Sequence, residues 1–404
     1  MDIVFIHGNY PGQFRHLAPC LANLREHRVI FLTEKEDIES GKHGNIEIRK
    51  FKQHREPSNT SHQYLTTSEE AIIKGQAILR ELDNLKKDGI NPRVVITHAG
   101  MGLGLFVKDI VPDALHIGLF EWYFQEETTS WLIEDYNLDT KLRTRFRNMP
   151  IVEEIMRCDV GVVPTDWQKK QFPKIFQDKL EIIFDGIDCN FFNKDEKIKD
   201  QTLKLRGELN KEDIKIESSM KVMSYATRGM ETLRGFPEFM RVASKCLEED
   251  PNLLVIIAGR DRCAYSYQPR SHGGSWKRKL LDELGEFKGK ERMIFTGLLS
   301  YNAYKKLLQR SDLHCYFTRP YVTSWSLFEA ASCGAKLCMN KSDATKNIVE
   351  KEADVIWVDI DNSNELYLEI KSALEKGAKS SALPEIYEIN NCIKKWINLI
   401  NKNL

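Results

Sequence analysis

The sequence predicts an α/β protein made of two doubly wound domains, each with a parallel sheet. Three observations carry this. At 404 residues the chain exceeds one ordinary hydrophobic core, and two domains of about 200 residues are the natural division. Short apolar runs alternate with helical periodicity along its length, the signature of βαβ units and hence of parallel strands. One polar, lysine-rich stretch, "NKDEKIKDQTLKLRGELNKEDIK" from Asn193 to Lys215, separates two such series and reads as a linker or peripheral segment. The expected division is therefore 1–200, 201–384, and a terminal helix at 385–404.

In the first half the expected strands are "DIVFI", "RVIFLT", "IEIRKF", "RVVITH", "LHIGLF", "VGVVP" and "LEIIF". Helical patterns lie between them, the longest being "TSEEAIIKGQAILRELDNLKK". In the second half they are "KVMSYA", "NLLVIIAG", "RMIFTG", "LHCYF", "AKLCMN" and "DVIWVD". At the end of the chain Ile386, Ile389, Cys392, Ile393 and Trp396 recur at helical spacing, a stripe that needs a surface to cover.

Composition narrows the class. With 42% hydrophobic and 29% charged residues, and 59 basic against 59 acidic, there is no bulk electrostatic case for nucleic acid or acidic membranes. The nine cysteines show no zinc-ligand or CxxC spacing, so reduced core cysteines in a cytoplasmic protein are expected. The start "MDIVFIHGNYPGQF" enters a strand directly, which predicts no signal peptide. Nowhere do 18 apolar residues run together, so no membrane span is expected. The only Asp-x-Asp, Asp359 and Asp361 in "VDIDN", reads as a strand-end cap, and no metal site or cofactor is expected.

Open α/β sheets bind ligands in crevices beyond the carboxyl ends of their strands, so motifs directly after strands matter most. The first strand runs into "HGNYPGQFRHLAP", where Gly8 and Gly12 suit either a phosphate-binding turn or a tight strand-to-helix connection. After "KVMSYA" comes "TRGMETLRGF", in which Arg228 and Arg234 are each followed by glycine. Two cations at one crevice can neutralise a departing diphosphate; otherwise they are solvated surface arginines. In "FTRPYVTSWSLFEAASCG" Ser324 and Ser326 suit a helix start, and Glu329 stands on the apolar face of that helix. A carboxylate there needs a partner, either the two hydroxyls of a ribose or an arginine.

The segments "FIHGNYPGQFRHLAP", "THAGMGLGLFVKDIVPDA", "FEWYF", "PTDWQKKQFP", "RGMETLRGF" and "SWSLFEAASCG", in this order, resemble glycosyltransferase family 4. The resemblance covers most of the chain. It implies the GT-B architecture, two Rossmann-like domains facing an interdomain cleft, the first binding acceptor and the second the nucleotide sugar. It also implies a retaining, metal-independent transfer of a hexose or pentose from a nucleoside diphosphate sugar to a hydroxyl acceptor.

By this resemblance Arg228 and Arg234 grip the donor diphosphate and Glu329 binds the ribose. Tyr321 stands where relatives place a glutamate against the donor sugar, and Ser324 where they often have a glycine whose amide touches phosphate. Gly12 is expected near the diphosphate, Glu121 near the transferred sugar, and His98 and Tyr10 on the acceptor or sugar side. Gly259 and Leu298 are expected at the nucleotide, the base being read through backbone groups. Asp166 and Asp188 read as caps, and Trp167, Trp276 and Trp325 as acceptor platforms or core.

The acceptor could be a glycan, glycolipid, protein or modified DNA. For hydroxymethylated phage DNA the support is local: "KKQFPK" and "RDRCAYSYQPRSHGGSWKRK" interleave bases with aromatics. A catalytically inactive sugar-nucleotide-binding protein and a sugar-nucleotide epimerase are the other readings of the same fold.

Overall fold

In the computed structural model, which describes every residue except the one at position 25, the chain divides into two units. The first comprises Met1–Thr129, Asp135–Gly186 and Ile389–Leu404. Its strands are β1 (Asp2–Ile6), β2 (Arg28–Thr33), β3 (Gly41–His43), β4 (Ile46–Lys50), β5 (Pro92–His98), β6 (Leu115–Leu119), β7 (Val160–Val163) and β8 (Leu180–Ile182). They form one sheet in the order β3-β4-β2-β1-β5-β6-β7-β8, parallel except for β3, which pairs antiparallel with β4. All seven expected strands form. The exposed β3 was not foreseen because its three residues carry no apolar signal.

Both faces of this sheet are covered. Ile3 and Phe5 pack on one side with Leu17 and Phe31, while Val4 and Ile6 pack on the other with Ile78, Leu82 and Val95. That is why the strand reads as a continuous apolar run and not as an alternation. The chain winds outward from β1 through β2 and β4, then returns to begin the other half at β5. The loops after β1 and β5 thus diverge at the point where the strand order reverses.

The terminal helix Ile389–Asn403 belongs to this unit, with Trp396, Leu399 and Ile400 in the cluster of Ile3, Phe5 and Leu17.

The second unit comprises Ser130–Glu134 and Ile187–Glu388. The segment 187–200, expected in the first domain, therefore belongs to the second, and the terminal helix starts at Ile389 instead of 385. Its strands are β9 (Leu203–Leu205), β10 (Ile214–Ile216), β11 (Lys221–Gly229), β12 (Leu253–Arg260), β13 (Met293–Gly297), β14 (Leu313–Tyr316), β15 (Leu337–Asn340) and β16 (Ile356–Val358). The main sheet is parallel with order β13-β12-β11-β14-β15-β16, so its order reverses between β11 and β14.

The lysine-rich stretch is not a linker. β9 and β10 form an antiparallel ribbon, and its alternate residues Leu203, Leu205, Ile214 and Ile216 are buried with Val222, Leu254 and Ile256. The lysines between them, Lys204 and Lys215, point to solvent. The brief segment Ser130–Glu134 is held by Arg319, whose guanidinium lies 4.5 Å from the Trp131 ring, and by Arg270, which donates to Glu134 at 2.8 Å.

Replacing Trp396 by alanine empties a site in the first unit's core. Large-to-small substitution of a buried tryptophan costs about 3–5 kcal/mol, and urea unfolding monitored by circular dichroism should show a loss of that size. A loss below about 1 kcal/mol, the level of a surface change, contradicts the helix's place in that core.

Candidate active site

At the reversal point of the first sheet, three strand ends bring polar side chains together. His7 follows β1, His98 ends β5 and Glu121 follows β6. His7 Nδ1 accepts from the Asn9 amide at 2.8 Å, so its proton sits on Nε2, 2.6 Å from Gln13 Oε1. Gln13 then donates to Glu121 Oε1 at 2.6 Å. His98 Nε2 stands 3.3 Å from the other carboxylate oxygen, and its ring stacks on His7 at 4.3 Å.

Burial and then the neighbouring His98 lower His7 from 6.5 to about 3, so it is neutral near pH 7. Burial pushes Glu121 up, but the hydrogen bonds and charge from His98, with the Gln13 hydrogen bond, outweigh it and hold the carboxyl below its usual range. Glu121 keeps 31% of its side chain exposed, so an ionised carboxylate reaches the surface here.

Gly12 has φ +53°, and a Cβ there would come within 2.4 Å of the His7 ring. That glycine makes room for the imidazole, a packing reason for a residue expected to approach phosphate. Tyr10 packs edge-on against Phe31 at 4.9 Å, a core contact instead of one with the His98 and Glu121 group.

Glu154 is a residue that sequence reasoning missed. It is fully buried on the helix Met149–Arg157, and its carboxylate accepts from the amides of Gly102 at 2.5 Å and Gly104 at 3.1 Å. It thereby shapes the "HAGMGLG" loop that begins with His98. Burial pushes its carboxyl up to about 7, against the pull of the glycine amides. The signal was present: a glutamate on the apolar stripe Ile151, Ile155 and Cys158, and a glycine-rich loop able to supply amides.

The second sheet gathers another set at its own reversal point. Arg234 is buried at 6% exposure. Its guanidinium donates to Thr318 Oγ1 at 2.7 Å and to the Val322 carbonyl at 3.3 Å, both on the loop after β14. Arg228 is exposed and donates to the Tyr265 hydroxyl at 3.0 Å. The Arg–Gly repetition has a steric cause. A Cβ on Gly229 would lie 2.7 Å from the Arg262 carbonyl, and one on Gly235, whose φ is +61°, 2.6 Å from Phe317 Cβ.

Tyr321 lies against Tyr265, ring centroids 5.7 Å apart. Glu329, on the helix Trp325–Ser332, is 4% exposed. Burial and then the Glu329 charge push the Tyr304 phenol well above its usual range.

Other expected contacts are already occupied. The Ser324 amide donates to the Tyr316 hydroxyl at 3.2 Å, and its hydroxyl shares a hydrogen bond with Ser326. Leu298 exchanges both backbone groups with Glu208, at 3.2 and 2.9 Å. Gly259, φ +132°, lies where a Cβ would meet the Thr227 carbonyl at 2.0 Å, so strand packing demands it. The helix cap at Asp166 is Thr165, while Asp188 does accept from the amides of Asn190 and Phe191. Asp361 is engaged by Arg319. In the basic stretches Phe172 and Trp276 are buried and offer no face on which a base could stack, whereas Tyr265 is exposed.

Two family models match the chain: glycosyl transferase family 4 group over residues 25–192 and glycosyl transferases group 1 over residues 208–386. Among solved structures it is similar to sucrose-phosphate synthase from Thermosynechococcus elongatus, with TM-score 0.70, 11% identity, and 100% of this chain and 98% of that chain covered. It is also similar to Anabaena Alr3699/HepE in complex with UDP and glucose, with TM-score 0.64, 12% identity and both chains wholly covered. A glycosyltransferase from Rickettsia africae aligns with TM-score 0.59 and 11% identity over 99% of this chain and 98% of that one. Among curated proteins none matches. The chain belongs to glycosyltransferase family 4, has the two-domain Rossmann-like fold called GT-B, and is a glycosyltransferase enzyme. Among the described residues no helix is long and apolar enough to cross a membrane.

The neutral His7 makes a prediction about acid. Between 6.5 and about 3 the unfolded chain binds a proton at this imidazole and the folded chain does not. Stability is therefore lost as pH falls through that window, by about 1.4 kcal/mol per pH unit for one proton. His7→Gln should make the stability curve between about pH 6 and pH 4 shallower by that amount in urea titrations. An unchanged slope would show that His7 carries its proton in the fold.

Proposed function

We propose that the enzyme moves a sugar from a nucleoside diphosphate sugar to a hydroxyl acceptor, with retention of anomeric configuration and without a metal ion. The observation that carries this reading is the placement of Arg234 against the loop after β14, which leads into the helix of Glu329, with Arg228 beside it on Tyr265, at the reversal point of the second sheet. Negative charge grows on a diphosphate as the sugar leaves, and cations already in place stabilise it without reorganisation. Arg234 is held by Thr318 and Val322 before any donor arrives. The buried Glu329 suits a ribose, whose paired hydroxyls can both donate to one carboxylate.

In this reading the arginines supply the positive charge, and the donor's phosphate side helps take the acceptor's proton. Glu121, ionised and oriented by Gln13 and His98, gives the first unit acceptors for sugar hydroxyls. Tyr321 cannot supply the carboxylate that relatives are expected to place on the sugar, so contacts on that side rest on an aromatic ring and one phenol. Gly12, Gly259, Ser324 and Leu298 stay on the donor side in this reading, each having a packing or hydrogen-bonding role in the fold as well. The Anabaena protein was solved with UDP and with UDP-glucose, which makes UDP-sugars the first donors to try. The acceptor proposed is a hydroxyl of a glycan or glycoconjugate.

Thermal stability against a panel of nucleoside diphosphates and their sugars tests the donor. A ligand at 100 times its dissociation constant adds about 2.7 kcal/mol. One nucleotide should give a clear shift, and Glu329→Ala should remove it; no shift from any of them refutes the donor assignment. Turnover tests the arginines. Arg228→Ala should slow it more than tenfold, on the order of 3 kcal/mol in the transition state, and an unchanged rate removes Arg228 from the mechanism.

A further inference from the structure

The loop after β12, "RDRCAYSYQPRSHGG", carries a residue that touches both arginines. We propose that Tyr265 is the positioning residue for the donor diphosphate, holding Arg228 in place relative to the fixed Arg234; the proposal rests on the donor reading above. The Arg228 and Arg234 guanidiniums each lie 5.7 Å from the centre of the Tyr265 ring. Arg234 is fixed independently by Thr318 and Val322. Arg228 is exposed, and the Tyr265 hydroxyl accepts a hydrogen bond from it at 3.0 Å. A long exposed arginine otherwise samples many rotamers that an arriving anion would have to freeze, so a partner that holds it beforehand lowers the cost of binding.

A phenol suits this task better than a carboxylate. It accepts a hydrogen bond from Arg228 without cancelling the positive charge, so both cations stay available to an anion. Its own position is built in. One oxygen of the buried Glu231 accepts from the amides of Ala264, Tyr265 and Ser266 at 3.0, 2.9 and 2.8 Å. Glu231 sits between the two arginines in "RGMETLRG". Gly229 lets the Arg262 carbonyl pass over it. The motif thus supplies both cations and the anchor of the loop that aligns them, and Tyr321 packs against the ring.

A double-mutant cycle tests this, with isothermal titration of whichever of UDP, GDP and ADP binds the wild type most tightly, and of its monophosphate. Tyr265→Ala should weaken diphosphate binding about tenfold and Tyr265→Phe about threefold, while monophosphate binding changes less than about twofold. Adding Tyr265→Ala to Arg228→Ala should cost less than about twofold more, because the residue acts through Arg228. Melting curves of Tyr265→Phe serve as the fold control, since that variant keeps the ring. Full additivity, or equal loss of monophosphate binding, overturns the positioning role while leaving the donor reading intact. If the wild type binds no nucleoside diphosphate, the donor reading itself fails and this proposal falls with it.

Discussion

Parallel strands impose the constraint on which the rest depends. Every strand in a parallel sheet ends at the same edge, and where the strand order reverses, neighbouring connections diverge and leave a crevice. In the first unit that point lies between β1 and β5, and in the second between β11 and β14. His7, Gln13 and His98 follow from the first reversal, with Glu121 one strand over. Arg228, Arg234, Tyr321 and Glu329 follow from the second. The residues with chemical capacity are where they are because backbone pairing leaves only those loops free to turn toward a ligand.

Within that frame, two buried carboxylates do the local shaping. Glu154 gathers the amides of a glycine-rich loop, and Glu231 gathers three successive amides of another. A buried carboxylate without partners is costly; amides satisfy both oxygens of Glu154, whereas those at Glu231 all converge on one oxygen and its other oxygen has no hydrogen-bond partner among the described residues. Each arrangement fixes the loop of a candidate side chain: His98 at the start of one loop and Tyr265 within the other. The glycines around them, Gly102, Gly229 and Gly235, are needed because a methyl group would collide with backbone or core atoms. Glycine frequency in these motifs therefore reports close packing as much as ligand access.

Apart from the short exposed β3, the strands of the two main sheets were legible because strands buried on both faces leave long apolar runs such as "NLLVIIAG" that need no partner to be recognised. The ribbon at 203–216 was not, because its four inward residues are diluted by lysines and its burial depends on packing against the sheet that follows it. The arginine pair and Glu329 could be picked out by position after a strand and by a charge on an apolar face. Glu154 and Glu231 escaped notice, since their partners are backbone amides, which leave no mark in a sequence.

By itself the sequence determined the two-domain α/β class, the places of its main strands along the chain and the loops on which charged residues stand. Those follow from local periodicity and from the cost of burying polar groups. Only the tertiary structure decided what each polar atom already holds. The Ser324 amide is taken by Tyr316 and the Leu298 backbone by Glu208, whereas Tyr265 bridges two arginines that lie far from it in sequence. Hydrogen bonds reach only about 3 Å, and which groups come that close depends on how distant segments pack, a property no local pattern encodes.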